Sequence, residues 1–350
     1  MMAKLLVVEP LEPLSLSRTQ IPGPKYLEAG MRVFAAPQPT TVLGALGRAL
    51  GVTVGGNLKV EALEDIRAVS SAISEKLRCS EPLLRGPVIV LEDFSKLYVP
   101  VAPDLYVSTE NLPEVLKLED YSINVEPCLS KTGVCIEARG LPNIIGVALE
   151  RRADSGGRAV GEKTVRLGYM YRYSVTAYRD ASTGEPTRTR FAYVLNCERG
   201  LEPLLLRVGG EGRVARLYTK DLERAVDSRL ANPLAGLERG KYVSVSYVPL
   251  IPKGPDVLSL EPEKLYGIEF LSDSRDVIGL PGATPKVRVE RVGLGYSESQ
   301  RRRRPQVPAL PPGTLFEVKN DVPRDVIEGR TIEPVRVLWN VGYSTLYRVR

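Results

Sequence analysis

Histidine is absent from the 350-residue sequence. The chain therefore has no Ser-His-Asp or Cys-His nucleophile pair and no histidine that could bind a metal. Because histidine is the one side chain that titrates near neutral pH without a perturbed pKa, a general acid or base would have to be a strongly perturbed Lys, Glu, Asp, Tyr or Cys. The composition favours a binding protein over an enzyme.

Long apolar runs and closely paired cysteines are also missing. The run Leu5–Val8 is too short for a signal peptide, and no stretch approaches the roughly 18 apolar residues of a transmembrane helix, so we expect a cytoplasmic protein. No Cys-x-x-Cys pair is present, which argues against a zinc ribbon or a redox motif. A disulfide between Cys128 and Cys135 is an open alternative, but four buried thiols, including Cys79 and Cys197, are favoured in a reducing cytoplasm.

The acidic residues form no recognisable catalytic group. Glu92-Asp93 and Glu119-Asp120 are neighbours in sequence, so their side chains point apart, and no further acidic residue follows at metal-binding spacing. We predict no active site, no metal and no cofactor.

Amides are scarce, with 4 Gln and 8 Asn, and arginine outnumbers lysine by 34 to 14. Few thermolabile amides and many charged residues are typical of a thermophile, although GC-rich coding gives the same arginine bias. The 31 glycines and 28 prolines favour short strands and ordered loops over long helices.

Hydrophobic periodicity predicts an α+β fold with antiparallel sheets flanked by helices. Helices are expected after an N-cap at Thr40 or Thr41, over 60–77 and over 220–230. The alternating segment 169–177 is expected to pair with Phe191–Cys197. Other expected strands are Leu5–Val8, Val88–Leu91, Val214–Tyr218, Tyr242–Val248, Gly267–Leu271, Val287–Val292, Thr314–Val318 and Val335–Trp339.

Positive charge is concentrated in two regions. Residues 151–220 carry 14 basic and 7 acidic side chains, a net charge of +7, and residues 285–304 carry 7 basic and 2 acidic, a net charge of +5. Residues 1–150 have a net charge of −4, with 14 basic and 18 acidic side chains. This segregation favours local polyanion binding, the alternative being that folding disperses the charges. The shift also suggests a domain boundary near 150–165.

The segment Gly209-Gly210-Glu211-Gly212-Arg213 places three glycines within four positions. Glycine permits positive φ angles and close approach of a ligand to the backbone, so exposed N–H groups beside Arg213 and Arg216 would suit a phosphate. No Gly-Lys-Ser/Thr follows, which excludes a Walker loop. The alternative is an ordinary tight turn.

A second basic segment runs from Gly293 through Tyr296 and Arg301–Arg304 to Gly313. Its lack of periodicity predicts a long loop, and such loops are usually functional or disordered. Arginine forks match phosphates and Tyr296 could stack on a base, whereas the alternative is a disordered basic flap. Tyrosines 169, 171 and 173 resemble the aromatic face of an RNA-recognition module, but without its consensus motif we expect them in the core.

Four motifs occur in an informative order. The first is Leu14–Arg18 together with Pro37–Arg48, into which it leads, and the other three are Arg85–Pro87, Gly209–Arg213 and Pro308–Phe316. Together they resemble the third-subunit family of the Cmr complexes, the type III-B CRISPR effectors, within the RAMP (repeat-associated mysterious protein) superfamily. Pro37–Arg48 resembles the family's helix start, Pro-x-Pro-Ser/Thr-x-x-x-Gly-Ala-x-Arg, except that Leu46-Gly47 displaces the arginine to position 48. The last segment resembles the family's Pro-Ala-Gly-Ser-Val-Tyr but differs from it at Pro312 and Leu315.

The resemblance implies two ferredoxin-like (RRM-like) modules, assigned to residues 1–160 and 161–350, with antiparallel sheets, helices on one face and long glycine- and arginine-rich loops. It implies a non-catalytic subunit that binds the 5′ tag of the CRISPR RNA in antiviral defence. The large polymerase-like subunit and the backbone RAMP subunit would be its neighbours. The expected RNA contacts are Arg18, Thr41, Arg48, Gly209, Gly210, Gly212, Arg213, Arg216, Tyr296, Arg301, Arg302, Arg303 and Arg304.

Two alternatives remain open at this point. One is a RAMP-type endoribonuclease that processes CRISPR transcripts with Tyr, Lys or Ser in place of histidine. The other is the equivalent tag-binding subunit of the related Csm complex.

Overall fold

The structure, a computed structural model, describes residues 3–16, 34–92, 94, 96–117, 122–150, 164–209, 212–222, 229–253, 265–266, 268, 278–279, 288–318, 320–329 and 331–349. For 142–150, 164–173, 265–266, 278–279 and 328 it describes the backbone alone. No helix within these residues is long and apolar enough to cross a membrane.

Strands outnumber helices, as expected. The helices are α1 (Pro39–Ala49), α2 (Glu64–Leu77), α3 (Leu112–Val115), α4 (Glu126–Ser130), α5 (Arg324–Glu328) and α6 (Glu333–Asn340), with 3₁₀ turns at Val60–Ala62 and Pro233–Ala235. The first strands are β1 (Lys4–Pro10), β2 (Cys79–Val90), β3 (Leu97–Ala102), β4 (Leu105–Ser108), β5 (Leu116–Lys117), β6 (Ser122–Ile123), β7 (Cys135–Glu150), β8 (Thr164–Asp180), β9 (Arg190–Cys197), β10 (Leu204–Val208) and β11 (Arg213–Asp221). The later strands are β12 (Leu230–Ala231), β13 (Gly240–Ser244), β14 (Val248–Pro249), β15 (Ile251–Pro252), β16 (Leu265–Tyr266), β17 (Ile278–Gly279), β18 (Glu290–Gly293), β19 (Tyr296–Ser297), β20 (Arg302–Arg303), β21 (Gln306–Leu310), β22 (Leu315–Val318) and β23 (Leu346–Arg348).

The largest sheet has nine strands in the order β10-β11-β1-β9-β2-β3-β4-β7-β8, and a second has five in the order β12-β23-β13-β22-β17. Three smaller ribbons and a three-stranded sheet complete the described strands, and every pairing among them is antiparallel. The fold is thus mixed α/β with mostly antiparallel sheets and few helices. The finer assignment of two ferredoxin-like modules stays a prediction.

The central strand β1 explains why Leu5–Val8 is apolar at every position. Leu6 and Val8 face the core formed with α1 and α2, whereas Leu5 and Val7 face the core shared with the five-stranded sheet. Because successive side chains of a strand point to opposite faces, a strand covered on both sides needs apolar residues throughout. The predicted first strand is confirmed.

The expected pairing of segment 169–177 with Phe191–Cys197 is wrong. β8 pairs with β7, and β9 lies between β1 and β2 in the middle of the large sheet. β8 pairs along its length with β7 at the edge of the large sheet, while the apolar β9 is buried on both faces. β7 and β8, which flank the 160/161 boundary, share one sheet, and the division into modules 1–160 and 161–350 stays a prediction.

The expected strand Val335–Trp339 is also wrong, because these residues form α6. Val335, Leu338 and Trp339 are buried, and their spacing of three and four places them on one helical face. Pro334 occupies the first turn, where proline favours a helix start. The helix expected over 220–230 lies mainly outside the described residues, and its two ends, Lys220 and Leu230, belong to strands β11 and β12.

Two disulfides replace the four thiols that were favoured. Cys79 on β2 is bonded to Cys197 on the neighbouring strand β9, across 118 residues of sequence, and Cys128 on α4 is bonded to Cys135 on β7. The expectation of free buried thiols is therefore wrong. It failed because it rested on the redox state of the cytoplasm, whereas the register of β2 and β9 sets two cysteines directly opposite each other.

Candidate nucleic-acid interface

Helix α1 begins at a segment that buried hydroxyl groups hold in place. Tyr178 donates to the Ala35 carbonyl at 2.7 Å, and Tyr193 donates to the Pro37 carbonyl at 2.5 Å. Thr176 donates in the same way to the Phe34 carbonyl at 2.9 Å. Burial raises the pKa of Tyr178 and of Tyr193 well above the usual tyrosine range, so both hydroxyls stay protonated and keep donating.

The first turn of α1 differs from the expected capping. Its N-cap residue is Gln38, whose side chain makes no capping hydrogen bond, and Pro39 opens the helix. The hydroxyl of Thr40 instead lies 3.2 Å from the Tyr343 hydroxyl, and burial raises the pKa of Tyr343 to about 12. Thr40 therefore ties α1 to the segment after α6 and is not an N-cap.

The solvent-facing side of α1 carries Thr41, Gly44 and Arg48. Their spacing of three and four residues puts them on one face; Thr41 is half-buried, and Gly44 and Arg48 are exposed. Gly44 has no atom of another element within 4 Å of the position of a Cβ, so folding does not require glycine there. Glycine inside a helix costs about 1 kcal/mol of stability relative to alanine, so its presence here calls for another reason. Close approach of a ligand to the helix backbone is one that this exposed position suits.

Replacing Gly44 by alanine is expected to stabilise the protein by up to about 1 kcal/mol. If RNA lies on this face, as the resemblance implies, the new methyl group should also weaken RNA binding. Thermal unfolding and retention of tagged RNA on filters measure the two effects. Gly47→Ala is the matched control, because its Cβ would lie 3.3 Å from Val69 in the packing against α2, so no stabilisation is expected. Unchanged RNA affinity of the Gly44 variant would remove this face from the interface.

The glycine-rich turn lies between β10 and β11. Gly209 has a φ of +74°, and a Cβ there would lie 2.8 Å from the carbonyl oxygen of Ser15. Gly212 has a φ of +62°, and a Cβ there would lie 3.2 Å from Cδ of Arg207. Both positions require glycine. Gly210, like Arg18 in the first motif, lies outside the described residues.

The two arginines next to this turn are paired with carboxylates of the β1 segment. Arg213 Nη1 lies 2.6 Å from Glu12 Oε2, and Arg216 Nη1 lies 3.5 Å from Glu9 Oε2. The backbone N–H of Val214 and the Arg213 side chain hold the pKa of Glu12 below its usual range. Arg216 is about half-exposed, at 48%, so it retains surface for a ligand, whereas Arg213, at 19%, is largely enclosed.

The second basic segment is folded, contrary to the expected long loop. β19 and β20 form a short antiparallel ribbon in which Tyr296 lies opposite Arg303 and Ser297 opposite Arg302. Side chains directly opposite on antiparallel strands lie on the same face, so Tyr296, which is 46% exposed, and Arg303 share one face. Arg301 is exposed at the turn, with a φ of +50°.

Contacts with the region around α2 hold this ribbon in place. Gln300 donates to the Gly56 carbonyl at 2.9 Å, and Arg302 pairs with Glu61 at 2.9 Å. Arg304 is the deepest of the four arginines. Its Nε and Nη2 lie 2.8 Å from Asp65 Oδ2, and its Nη1 donates to the carbonyls of Leu294 and Tyr296 at 3.3 and 2.9 Å. A phosphate contact by Arg304 would require breaking this buried arrangement.

The structure brings the expected regions together around α1. The apolar face of α1 packs with β10, which leads into the glycine turn, and Thr40 lies 3.6 Å from the position of a Cβ on Gly295, beside the arginine ribbon. One helix thus contacts both the strand that leads into the glycine turn and the start of the arginine ribbon. The acidic partners Glu12, Glu61 and Asp65 were not predicted, because no local pattern reveals a partner distant in sequence.

The expected core position of tyrosines 169, 171 and 173 lies outside the described side chains, since only their backbone in β8 is described.

No protein-family model matches the sequence, and no curated protein matches it either. Solved structures do match. A chain in the cryo-EM structure of a type III-B Cmr-beta bound to cognate target RNA and AMPPnP has a TM-score of 0.55 and 17% identity, and a chain in the Cmr-beta structure bound to cognate target RNA has a TM-score of 0.55 and 19% identity. Each match covers 99% of this chain and 96% of the other. The chain therefore has the fold of a chain of the type III-B Cmr-beta complexes.

Proposed function

We propose that this chain is a non-catalytic RNA-binding subunit of a type III-B CRISPR effector of the Cmr class. The observation that carries the proposal is that β10, the strand leading into the glycine turn, and Gly295, beside the arginine ribbon, both lie against α1 in a chain with the fold of a Cmr-beta chain. Two of the motifs that resemble the third-subunit family, Pro37–Arg48 and Gly209–Arg213, fall on α1 and on the glycine turn. The ligand proposed is the 5′ tag of the CRISPR RNA, a single strand that needs phosphate neutralisation and stacking.

The arginines of the ribbon have two proposed roles. Arg302 and Arg304 are paired with Glu61 and Asp65, and in the proposal they position the ribbon. The exposed Arg301 and Arg303 neutralise phosphates, and Tyr296, on the same face as Arg303, stacks on a base. In the same assembly, the large polymerase-like subunit and the backbone RAMP subunit are the proposed protein partners.

Retention of labelled RNA on filters, with and without the tag, tests the proposal over a range of salt concentrations. Binding should prefer the tag and weaken steeply with salt, because cations released from single strands give a slope of about −0.7 per phosphate contact. The Arg301→Ala/Arg303→Ala variant should lower the magnitude of that slope by about 1.4 if each arginine neutralises one phosphate.

Arg239→Ala is the matched control. This arginine is also exposed, but it lies just before β13, a strand of the five-stranded sheet, and is not part of the proposed RNA interface. Its affinity and slope should equal those of the unmodified protein. Salt-independent binding, or equal binding of RNA without the tag, would contradict the proposal. Clean cleavage of repeat RNA in a metal-free incubation would favour a processing endoribonuclease instead.

A further inference from the structure

Arg207, which no sequence motif includes, lies at the end of β10 beside the glycine turn. It is opposite Val214 in the register with β11, and its side chain is exposed. Within the described part of the chain no carboxylate pairs with it. An exposed arginine without an acidic partner can bind an anion without first giving up an ion pair.

The turn accommodates this side chain specifically. A Cβ on Gly212 would lie 3.2 Å from Cδ of Arg207 and 3.7 Å from its Nε and Nη1. The arginine therefore extends across the face of Gly212, with its guanidinium next to backbone that has no side chain. A phosphate oxygen bound by this guanidinium would also lie close to the backbone of Gly212, since glycine permits such close approach.

Arg213, the arginine of the Gly-Gly-Glu-Gly-Arg motif, is in a different situation. It pairs with Glu12 at 2.6 Å, and the other carboxylate oxygen of Glu12 accepts the backbone N–H of Val214 at 2.8 Å. Turning Arg213 toward RNA would leave Glu12, whose pKa is held low, ionised without its counter-charge. Arg213 thus closes the turn onto the β1 segment.

We propose that Arg207, and not Arg213, binds an RNA phosphate at the glycine turn, and that Arg213 positions the turn through Glu12. The inference rests on the proposed function, because the anion is taken to be a phosphate of the bound RNA. It deepens that function by naming the cation at this part of the interface.

Filter retention of tagged RNA at several salt concentrations, with the full-length chain, separates the two arginines. Arg207→Ala and Arg207→Gln should each lower the affinity roughly tenfold and the magnitude of the salt slope by about 0.7, as expected for one phosphate contact on a single strand. Arg213→Ala should leave the slope unchanged and lower the melting temperature. Arg239→Ala should change neither quantity.

Glu12→Gln provides a second, independent measurement. If Arg213 positions the turn, weakening its ion pair lowers the melting temperature and does not raise the affinity; a higher affinity would show that a released Arg213 binds RNA and would overturn the inference. An unchanged slope in both folded Arg207 variants would overturn it as well. If the unmodified protein shows no salt-dependent binding of tagged RNA, the proposed function itself fails, which is a distinguishable result.

Discussion

Replacing Cys79 and Cys197 together by alanine is expected to lower the free energy of unfolding by about 5 kcal/mol, the estimate for a disulfide that closes a loop of more than 100 residues. The sequence separation of this pair is 118 residues, so the cross-link removes much conformational entropy from the unfolded chain. Cys197 is fully buried, and alanine avoids burying the hydroxyl that serine would introduce.

Chemical denaturation of the non-reduced protein measures this loss, and Cys128→Ala/Cys135→Ala is the matched control. That disulfide spans 7 residues, so its removal should lower the free energy of unfolding by only about 2.5 kcal/mol. Thiol titration of the unfolded protein should find no free thiol before reduction and four afterwards. Four thiols without reductant would contradict both bonds. Intracellular disulfides are common in hyperthermophiles, which agrees with the thermophilic source that remains a prediction.

Replacing Asp65 by alanine is expected to destabilise the protein by about 3–5 kcal/mol, the usual loss when one partner of a buried ion pair is removed. The Asp65 side chain is 2% exposed and that of Arg304 is 12% exposed, so the substitution leaves a buried guanidinium without its counter-charge. The ribbon that carries Tyr296 and Arg303 loses its main attachment to α2, and RNA affinity should fall with the stability.

Denaturation curves and RNA retention at a temperature where the variant is folded measure both effects. Glu61→Ala is the control, because its ion pair with Arg302 is exposed and such pairs contribute about 0–1 kcal/mol. The double variant Asp65→Asn/Arg304→Gln removes both charges and should recover part of the stability lost by Asp65→Ala. A stability of Asp65→Ala within 1 kcal/mol of the original, or no recovery in the double variant, would contradict the proposed role of the Asp65–Arg304 ion pair in attaching the ribbon to α2.

Local periodicity was sufficient to predict α1 and β1. Leu43 and Leu46 at helical spacing predict α1, and the apolar run Leu5–Val8 predicts β1; the structure confirms both. The same reasoning failed for α6, since Val335, Val337 and Trp339 alternate as in a strand, while Val335, Leu338 and Trp339 also fit one helical face. A short apolar segment satisfies both periods, and packing against the core decides between them.

The arginine segment shows a different limit. Composition located the charge of Arg301–Arg304, but the four residues occupy different environments, from exposed Arg301 to Arg304, which is enclosed by Asp65 and two carbonyls. Asp65 is 239 residues away in sequence. No spacing rule relates two such positions, because their contact depends on how the ribbon docks on α2.

By itself the sequence determined which chemistry is missing and where positive charge is concentrated, since both follow from counting residues. It also determined the glycines at 209 and 212, whose positive φ angles other residues rarely adopt. Only the tertiary structure decided which arginines are neutralised, which cysteines meet and which strands neighbour each other. These depend on contacts between segments far apart along the chain, and a buried charge is paired wherever the fold brings a carboxylate to it.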